Sequence, residues 1–271
     1  FRIGGFADYF VCAGKDELAP VIALCRREGI SYFLIGNGSN LLVADAGYRG
    51  VVIKLDSSSS CAFVEAGDFV KVRVGAGELL SVFAREVIAK GAAGFAFAAG
   101  IPGSVGGALY MNAGAYGGEI SDFLMPREEL EFSYRSSIFQ NREIYALSAD
   151  FCFPRGDARA EQRRIEELSA LRREKQPLEY PSAGSTFKRP SGHFAGKLIM
   201  EAGLSGLRVG GAKVAEKHCG FVVNDADATA KDVVELIAKV RESVWEKHGV
   251  RLEPEIRFLG DLSLPWGDEK R

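Results

Sequence analysis

The amino-acid sequence predicts an α+β protein of two or three domains that is rich in glycine loops, and three observations lead to that prediction. Helix-like runs alternate with short strand-like runs along the chain. The chain has 271 residues, more than a typical single domain of roughly 100–200 residues, so two or three domains are expected. Its 32 glycines crowd into residues 35–50, 91–118 and 203–211, which indicates tight turns or loops that approach a ligand closely. A loop-rich fold without a ligand explains the glycine clusters equally well.

Apolar periodicity divides the chain into predicted strands and helices. The predicted strands and extended runs are Ala7–Cys12, Tyr32–Ile35, Gly50–Leu55, Ala62–Val64, Phe69–Val74, Phe132–Phe139, Glu143–Phe153 and Gly220–Val223. The predicted helices are Asp16–Glu28, Glu78–Lys90, Ala158–Lys175, Ala195–Ala202 and Thr229–Lys247. The first elements form a β-α-β unit, Ala62–Val64 and Phe69–Val74 form a hairpin, and the last helix begins at a capping box of Thr229 with Asp232.

Composition and charge exclude several classes of protein. Hydrophobic residues make up 47% and charged residues 26% of the chain, as in an ordinary globular protein. The net charge of −2 gives no support for binding nucleic acid or a membrane surface. No apolar run approaches the ~20 residues that span a bilayer. Five scattered cysteines without a CxxC pair predict reduced thiols in the cytoplasm, and with three histidines they predict no metal site.

Three glycine-rich segments come near to standard phosphate-binding or catalytic motifs, but none of them matches one. Gly36–Asn40 follows a predicted strand, yet Leu41 stands where a Rossmann loop has its third glycine. Gly192–Lys197 is one residue short of a Walker A loop, and Pro102 replaces the first glycine of a nucleophile elbow. The loops at 36–40 and 100–107 nevertheless predict a dinucleotide whose pyrophosphate is held between two domains by backbone amides.

The segment Tyr180–Pro190 places one hydroxyl in a suggestive setting. Ser185 follows Gly184 and precedes the cations Lys188 and Arg189, with prolines at both ends of the segment. This arrangement suits proton delivery beside an anionic substrate. A surface turn with a capping serine is the more common use of such a stretch, so the segment alone favours that interpretation.

Six motifs, in order along essentially the whole chain, resemble those of the MurB family of UDP-N-acetylenolpyruvoylglucosamine reductases. The motifs are IGNGSNLLV, AAGIPGSVGGALYMNAGAYGGEISD, FSYRSSIF, YPSAGSTFKRP, GGAKVAEKHCGFVVN and LEPEIRF. The resemblance implies a two-part FAD-binding domain of the vanillyl-alcohol-oxidase/PCMH type plus a smaller α/β substrate-binding domain. The implied boundaries are 1–55, joined by 252–271, for the first FAD subdomain, 56–155 for the second, and 156–251 for the substrate domain.

The activity implied by the resemblance is the reduction of UDP-N-acetylglucosamine enolpyruvate to UDP-N-acetylmuramate in peptidoglycan synthesis. NADPH is the reductant, FAD is bound non-covalently, and hydride passes from flavin N5 to the enol carbon. Ser185 becomes the proton donor, Arg135 the active-site arginine and Glu255 the active-site carboxylate. From the residues alone, Arg135 fits a salt bridge equally well, and Glu255 fits an exposed structural carboxylate better.

The resemblance also assigns binding residues. Those expected to hold FAD are Gly36, Asn37, Gly38, Ser39, Asn40, Ile101, Pro102, Gly103, Ser104, Gly106 and Gly107. Those expected to contact substrate are Tyr134, Lys188 and Arg189. Asn112 and Tyr116 fit either ligand contacts or turns, and His218 fits either a core histidine or a ligand contact.

The chain departs from the family pattern in three places. The pattern begins upstream of FRIGG, a further strand and turn usually stand between Leu124 and Pro126, and the tyrosine-bearing loop of some members has no counterpart. The last difference places the chain with the shorter subtype. We expect a monomer. Two other interpretations are a different flavin oxidase of the same fold and a nucleotide-binding module without redox chemistry.

Overall fold

The computed structural model describes residues 1–57, 61–126 and 128–267. Its helices are α1 (Leu18–Arg27), α2 (Leu80–Ala89), α3 (Val105–Met111), α4 (Ala158–Lys175), α5 (Ala195–Glu201) and α6 (Ala230–His248). Its strands are β1 (Ala7–Ala13), β2 (Tyr32–Ile35), β3 (Leu41–Val43), β4 (Tyr48–Leu55), β5 (Ala62–Ala66), β6 (Phe69–Gly75), β7 (Gly114–Ala115), β8 (Gly118–Glu119), β9 (Ser148–Pro154), β10 (Arg208–Val209), β11 (Ala212–Val214), β12 (Val222–Asn224) and β13 (Arg257–Leu259). Within these described residues no helix combines the length and apolar character needed to cross a bilayer.

The chain forms two compact units. The first unit contains Phe1–Asp8, Ser39–Gly50 and Arg172–Arg271, and the second contains Tyr9–Gly38 and Val51–Leu171. This division does not test the three boundaries expected from the sequence, which stay predictions.

The second unit contains a phenylalanine-rich core under an antiparallel sheet. The sheet has the strand order β5-β6-β9, and β5 and β6 form the hairpin predicted from the sequence. Phe83 of α2 and Phe151 and Phe153 of β9 point into this core together with Phe95. The Phe95 ring centroid lies 4.9 Å from that of Phe153 and 5.8 Å from that of Phe83. Tilted and edge-on aromatic pairs of this kind add to the energy of burial.

The start of the second unit confirms the β-α-β prediction. β2 pairs in parallel with β4, from Tyr32 opposite Val51 to Ile35 opposite Lys54. α1 lies between β1 and β2 in the chain, and its apolar face is buried in one cluster with residues of β4. Gly29, with a φ of +65°, follows this helix, a conformation that glycine adopts at no steric cost.

The first unit is built around the long helix α6 and the antiparallel sheet β10-β11-β12. The Thr229 side chain accepts a hydrogen bond from the Asp232 backbone N–H at 3.1 Å, and the Asp232 carboxylate accepts one from the Thr229 N–H at 2.9 Å. This confirms the predicted capping box. Gly249 ends the helix in the left-handed conformation. β3 and β13, which are far apart in sequence, pair in parallel.

Two predicted extended runs differ from the structure. The prediction for Phe132–Phe139 is wrong, because Ser133–Ser136 is a tight turn and Ile138–Gln140 is a short 3-10 helix. The run Glu143–Phe153 is a strand only from Ser148 onward. Alternating apolar and polar residues misled the first prediction, since the turn contains no Gly, Pro, Asn or Asp to mark it.

Replacing Phe95 with alanine tests the importance of the aromatic core. Phe95 is fully buried, and we expect Phe95→Ala to lower the free energy of unfolding by about 3–5 kcal/mol, because it leaves a cavity among the other rings. Phe69→Ala is the matched control, because Phe69 is 47% exposed. We expect this substitution to lower the free energy of unfolding by less than about 1 kcal/mol. Urea denaturation followed by far-UV circular dichroism measures both. Equal losses for the two variants would contradict this account of the core.

Candidate active site

Residues 36–38 of the first predicted glycine loop lie beside the second loop within the second unit. A Cβ atom on Gly36 would lie 2.5 Å from the Ser104 hydroxyl oxygen and 3.5 Å from the Gly107 Cα. The Asn37 side-chain amide donates a hydrogen bond to the Pro102 carbonyl at 2.6 Å. Ser104 caps α3, because its hydroxyl accepts a hydrogen bond from the Gly107 N–H at 3.1 Å. The structure therefore brings together loops that are more than sixty residues apart in the chain.

The second loop is fixed by backbone hydrogen bonds to the segment before α2. The Gly106 N–H donates to the Ala76 carbonyl at 2.8 Å, and the Leu80 N–H donates to the Gly103 carbonyl at 2.9 Å. A Cβ atom on Gly106 would lie 3.1 Å from the Ala76 carbonyl oxygen. Glycine at position 106 therefore allows the backbone of the second loop to approach Ala76 closely.

These loops fit the pyrophosphate of a dinucleotide. A side chain at position 36 would collide with the Ser104 hydroxyl. With glycine there, the surface of the loops at this point consists of backbone and one hydroxyl group. Gly38 adopts a φ of +65°, which suits a loop that turns its backbone amides toward an anion. Gly36, Asn37, Gly38 and Ser104 are the residues that would hold this group.

Ser39 and Asn40, also predicted to bind FAD, belong to the first unit. The Asn40 side-chain amide donates to the Glu255 carbonyl at 3.0 Å, and the Arg257 N–H donates to the Asn40 carbonyl at 2.9 Å. Asn40 therefore supports the segment that contains Glu255. Its predicted contact with FAD stays a prediction.

Arg135 lies at the tip of a tight turn in the second unit. Ser133 and Ser136 exchange backbone hydrogen bonds of 3.1 Å and 3.0 Å, which leaves Tyr134 and Arg135 as the two turn residues. Arg135 has a φ of +55°, where glycine is the usual residue. Its guanidinium donates to the Gly114 carbonyl at 3.0 Å and lies 4.9 Å from the centroid of the Tyr134 ring. The two residues predicted from one motif are thus in contact.

Asn112 has a structural role that the sequence left undecided. It is buried, and its amide nitrogen donates to a Glu119 carboxylate oxygen at 2.8 Å and to the Ser133 carbonyl at 3.1 Å. Its amide oxygen accepts from the Ser121 N–H at 3.2 Å. Asn112 therefore lies in the turn that ends α3, and its side chain supports the separate turn that contains Arg135. Tyr116 is half-exposed with a φ of +53°.

Ser185 and Glu255 lie on two paired segments of the first unit. Phe187 is opposite Pro254 in an antiparallel bridge, and the Glu255 N–H donates to the Thr186 carbonyl at 2.8 Å. Thr186 is fully buried, whereas Ser185 is exposed. The pairing fixes the backbone on both sides while leaving the serine hydroxyl accessible.

Lys188 and Arg189 continue the same segment. The Lys188 ammonium lies 3.1 Å from a Glu253 carboxylate oxygen across the pairing, and both side chains are partly exposed. The Arg189 guanidinium lies 3.9 Å from the centroid of the Phe194 ring, and Phe194 is 58% exposed. Sequence reasoning missed Phe194. The sequence contains a signal for this contact, because Phe194 follows Arg189 closely enough in the chain for the guanidinium to stack on its ring.

His218 is half-buried in the first unit. Its Nδ1 accepts a hydrogen bond from the Gly220 N–H at 3.1 Å, and its ring centroid lies 4.9 Å from that of Phe221. Burial lowers the pKa of this imidazole below its ordinary value. The structure favours the core role for His218, one of the two that the sequence left open.

Comparison with known proteins identifies the family. A family model described as the C-terminal domain of UDP-N-acetylenolpyruvoylglucosamine reductase matches residues 176–259, and an FAD binding domain model matches residues 7–125. A UDP-N-acetylenolpyruvoylglucosamine reductase of Lachnoclostridium phytofermentans is 54% identical over 98% of this chain and 91% of its own length. The chain belongs to the UDP-N-acetylenolpyruvoylglucosamine reductase family.

Further relatives agree with this assignment. The reductase of Caldanaerobacter subterraneus subsp. tengcongensis is 47% identical over 96% of this chain and 90% of its own length. The crystal structure of the reductase from Thermus caldophilus matches with a TM-score of 0.75 and 34% identity, over 95% of this chain and 94% of that one. These matches confirm the predicted resemblance, the α+β flavoprotein fold, the oxidoreductase class and FAD as the cofactor.

Substituting Gly36 tests the fit of FAD to the glycine loops. We expect Gly36→Ala to weaken FAD binding by about tenfold, because the new methyl group displaces the Ser104 hydroxyl from its cap on α3. Titration of the apoprotein with FAD, followed by flavin fluorescence, measures the affinity. Gly14→Ala is the control, since its methyl group would meet Glu17 at an ordinary contact distance of 3.4 Å. FAD affinity equal to wild type in Gly36→Ala would rule out this site.

Proposed function

We propose that this chain reduces UDP-N-acetylglucosamine enolpyruvate to UDP-N-acetylmuramate, with Ser185, Arg135 and Glu255 as its active-site residues. The observation that carries the proposal is the 54% identity, over nearly the whole chain, to a UDP-N-acetylenolpyruvoylglucosamine reductase. FAD as cofactor and NADPH as reductant belong to the family reaction. The role given to each residue is the one that the family resemblance implies.

Arg135 has the chemistry to stabilise the charge that develops during reduction. When bound, FAD supplies the hydride that reaches the terminal enol carbon of the substrate. Negative charge then builds on the adjacent carbon and its carboxylate. A guanidinium meets a carboxylate through two parallel N–H donors, which fits it to this charge. The turn holds Arg135 in a left-handed conformation that the surroundings must maintain, as is common at functional sites.

Ser185 provides the proton that completes the reduction. A serine hydroxyl is too weak an acid to donate freely, so it needs a nearby positive charge or a hydrogen-bond relay. Lys188 lies three residues away on the same paired segment. Positioned proton transfer of this kind contributes about 10²–10⁴-fold to a rate. The exposed hydroxyl on a fixed backbone supports this assignment over a simple turn residue.

Glu255 is held beside the Ser185 segment by one backbone hydrogen bond, and the Asn40 side chain supports it with a second bond. Its N–H donates to Thr186, and its carbonyl accepts from Asn40. The side chain is partly exposed at the surface of the first unit. We assign it as the active-site carboxylate that orients the proton donor or the substrate.

The substrate diphosphate fits the exposed cations of the first unit. Lys188 is paired with Glu253 in a partly exposed bridge, a kind of pair that contributes little stability and can exchange for a phosphate. Arg189 is stacked on Phe194, and a guanidinium is a group that binds phosphate oxygens through several N–H donors. Tyr134 contributes a half-exposed ring beside Arg135. Cytoplasmic location and a monomeric state remain parts of the proposal.

Ser185→Ala tests the proton donor. We expect reduction of FAD by NADPH to stay within about twofold of wild type, while reduction of the enolpyruvyl substrate slows by about 10²–10⁴-fold, because only the second half-reaction needs the proton. Stopped-flow absorbance of the flavin measures the two half-reactions separately. Ser205→Ala, at another exposed serine of the first unit, is the control.

The outcome of that experiment also separates the alternatives. Equal slowing of both half-reactions in Ser185→Ala would reject its role as proton donor. A wild-type protein that ignores the enolpyruvyl substrate and is reoxidised rapidly by air would be a flavin oxidase. A purified protein that stays colourless with added FAD would be a nucleotide-binding module.

A further inference from the structure

We propose that Gln140 is a positioning residue for this reaction, holding the peptide of Arg135 in place from the end of α3. The inference rests on the proposed function, because it concerns how Arg135 reaches the substrate carboxylate. Gln140 acts through Arg135 and has no direct part in the chemistry.

The Gln140 side chain joins two backbone carbonyls. Its amide nitrogen donates to the Tyr110 carbonyl at 2.8 Å and to the Arg135 carbonyl at 3.0 Å. A primary amide carries two N–H donors, one for each carbonyl, and the same nitrogen also lies 3.9 Å from the Met111 sulfur. Since the side chain is partly buried, each bond is shielded from competing water and fixes the distance between the two peptides.

The anchor at Tyr110 is a rigid point. Tyr110 lies in the last turn of α3, where the helix leaves carbonyls without intrahelical partners. Its carbonyl also accepts a hydrogen bond of 2.8 Å from the Ser137 hydroxyl, and Ser137 is buried. α3 begins at Ser104, the residue that borders Gly36. Gln140 therefore ties the Arg135 turn to the same helix that starts at the glycine loops.

Arg135 needs such a tie because its backbone is strained. A residue with a Cβ atom adopts a φ of +55° reluctantly, and the conformation persists where neighbouring groups maintain it. Among the contacts that reach this turn from outside are the Asn112 amide on the Ser133 carbonyl and the Gln140 amide on the Arg135 carbonyl. The second bond acts on the peptide of the arginine itself. Losing it frees that peptide to rotate and turns the guanidinium away from its contact with Gly114.

Two substitutions at Gln140 separate hydrogen bonding from shape. Gln140→Met keeps the length of the side chain but removes both donors. We expect it to slow reduction of the enolpyruvyl substrate by about 10- to 100-fold, because a small misplacement of Arg135 weakens charge stabilisation, while reduction of FAD by NADPH stays within about twofold. Gln140→Lys restores donors of similar reach and should recover most of the rate. Gln162→Met, at an exposed position of α4, is the matched control.

A double substitution decides whether Gln140 acts through Arg135. Arg135→Ala alone should slow substrate reduction strongly, and adding Gln140→Met to it should change the rate by less than about twofold. Multiplied losses would overturn the proposal and leave Gln140 a structural residue. Wild-type substrate reduction in Gln140→Met would overturn it as well. Wild-type substrate reduction in Arg135→Ala would instead reject the role proposed for Arg135.

Hydrogen exchange gives a readout that does not depend on activity. In Gln140→Met, backbone amides of residues 133–136 should exchange about tenfold faster than in wild type, with the thermal midpoint nearly unchanged. Gln140→Lys should restore their protection. Unchanged exchange at residues 133–136 in Gln140→Met would show that the side chain does not hold the turn and would overturn the inference.

Discussion

The close packing of Gly36 against the Ser104 hydroxyl is the contact on which the second unit's site depends. The hydroxyl is already engaged as the cap of α3, so its position is fixed by the helix. Only a residue without a Cβ fits beside it. The same helix ends at the carbonyl that receives Ser137 and Gln140. One short helix thus runs from Ser104, beside the glycine loops, to the Tyr110 carbonyl, which Gln140 links to the Arg135 carbonyl.

The sequence predicted those parts of the fold whose signals are local. α4 and α6 have clear apolar stripes, and the capping box of Thr229 with a glycine stop at Gly249 marks both ends of α6. The parallel pairing of β3 with β13 was not predictable, because it joins residues more than two hundred positions apart and each strand has three residues. Strands that short give no periodic pattern to recognise.

The turn that contains Arg135 escaped prediction for a different reason. Its conformation depends on side chains outside it, since Asn112 and Gln140 bind its carbonyls from neighbouring elements. A turn with arginine at a left-handed position opposes local preference, so tertiary contacts must decide it. The residue types of the site could be assigned from the family motifs, whereas the supporting residues could be found only from contacts. Conflict between local preference and structure is expected where a residue serves function.

In the first unit, backbone pairing between segments fixes the chain around Ser185. Thr186 is buried and its hydroxyl accepts a hydrogen bond from the Val222 N–H at 2.8 Å, so the segment is attached to β12 on one side and to residues 253–255 on the other. Gly184, with a φ of +75° and open space around it, lets the chain turn just before Ser185. The backbone is therefore fixed by residues next to the serine, and the hydroxyl itself makes no contribution to that framework. Because the framework rests on Thr186, loss of the exposed Ser185 hydroxyl leaves the folding of the segment unchanged. Loss of the Thr186 hydroxyl, in contrast, leaves the buried Val222 N–H without its partner and destabilises the segment.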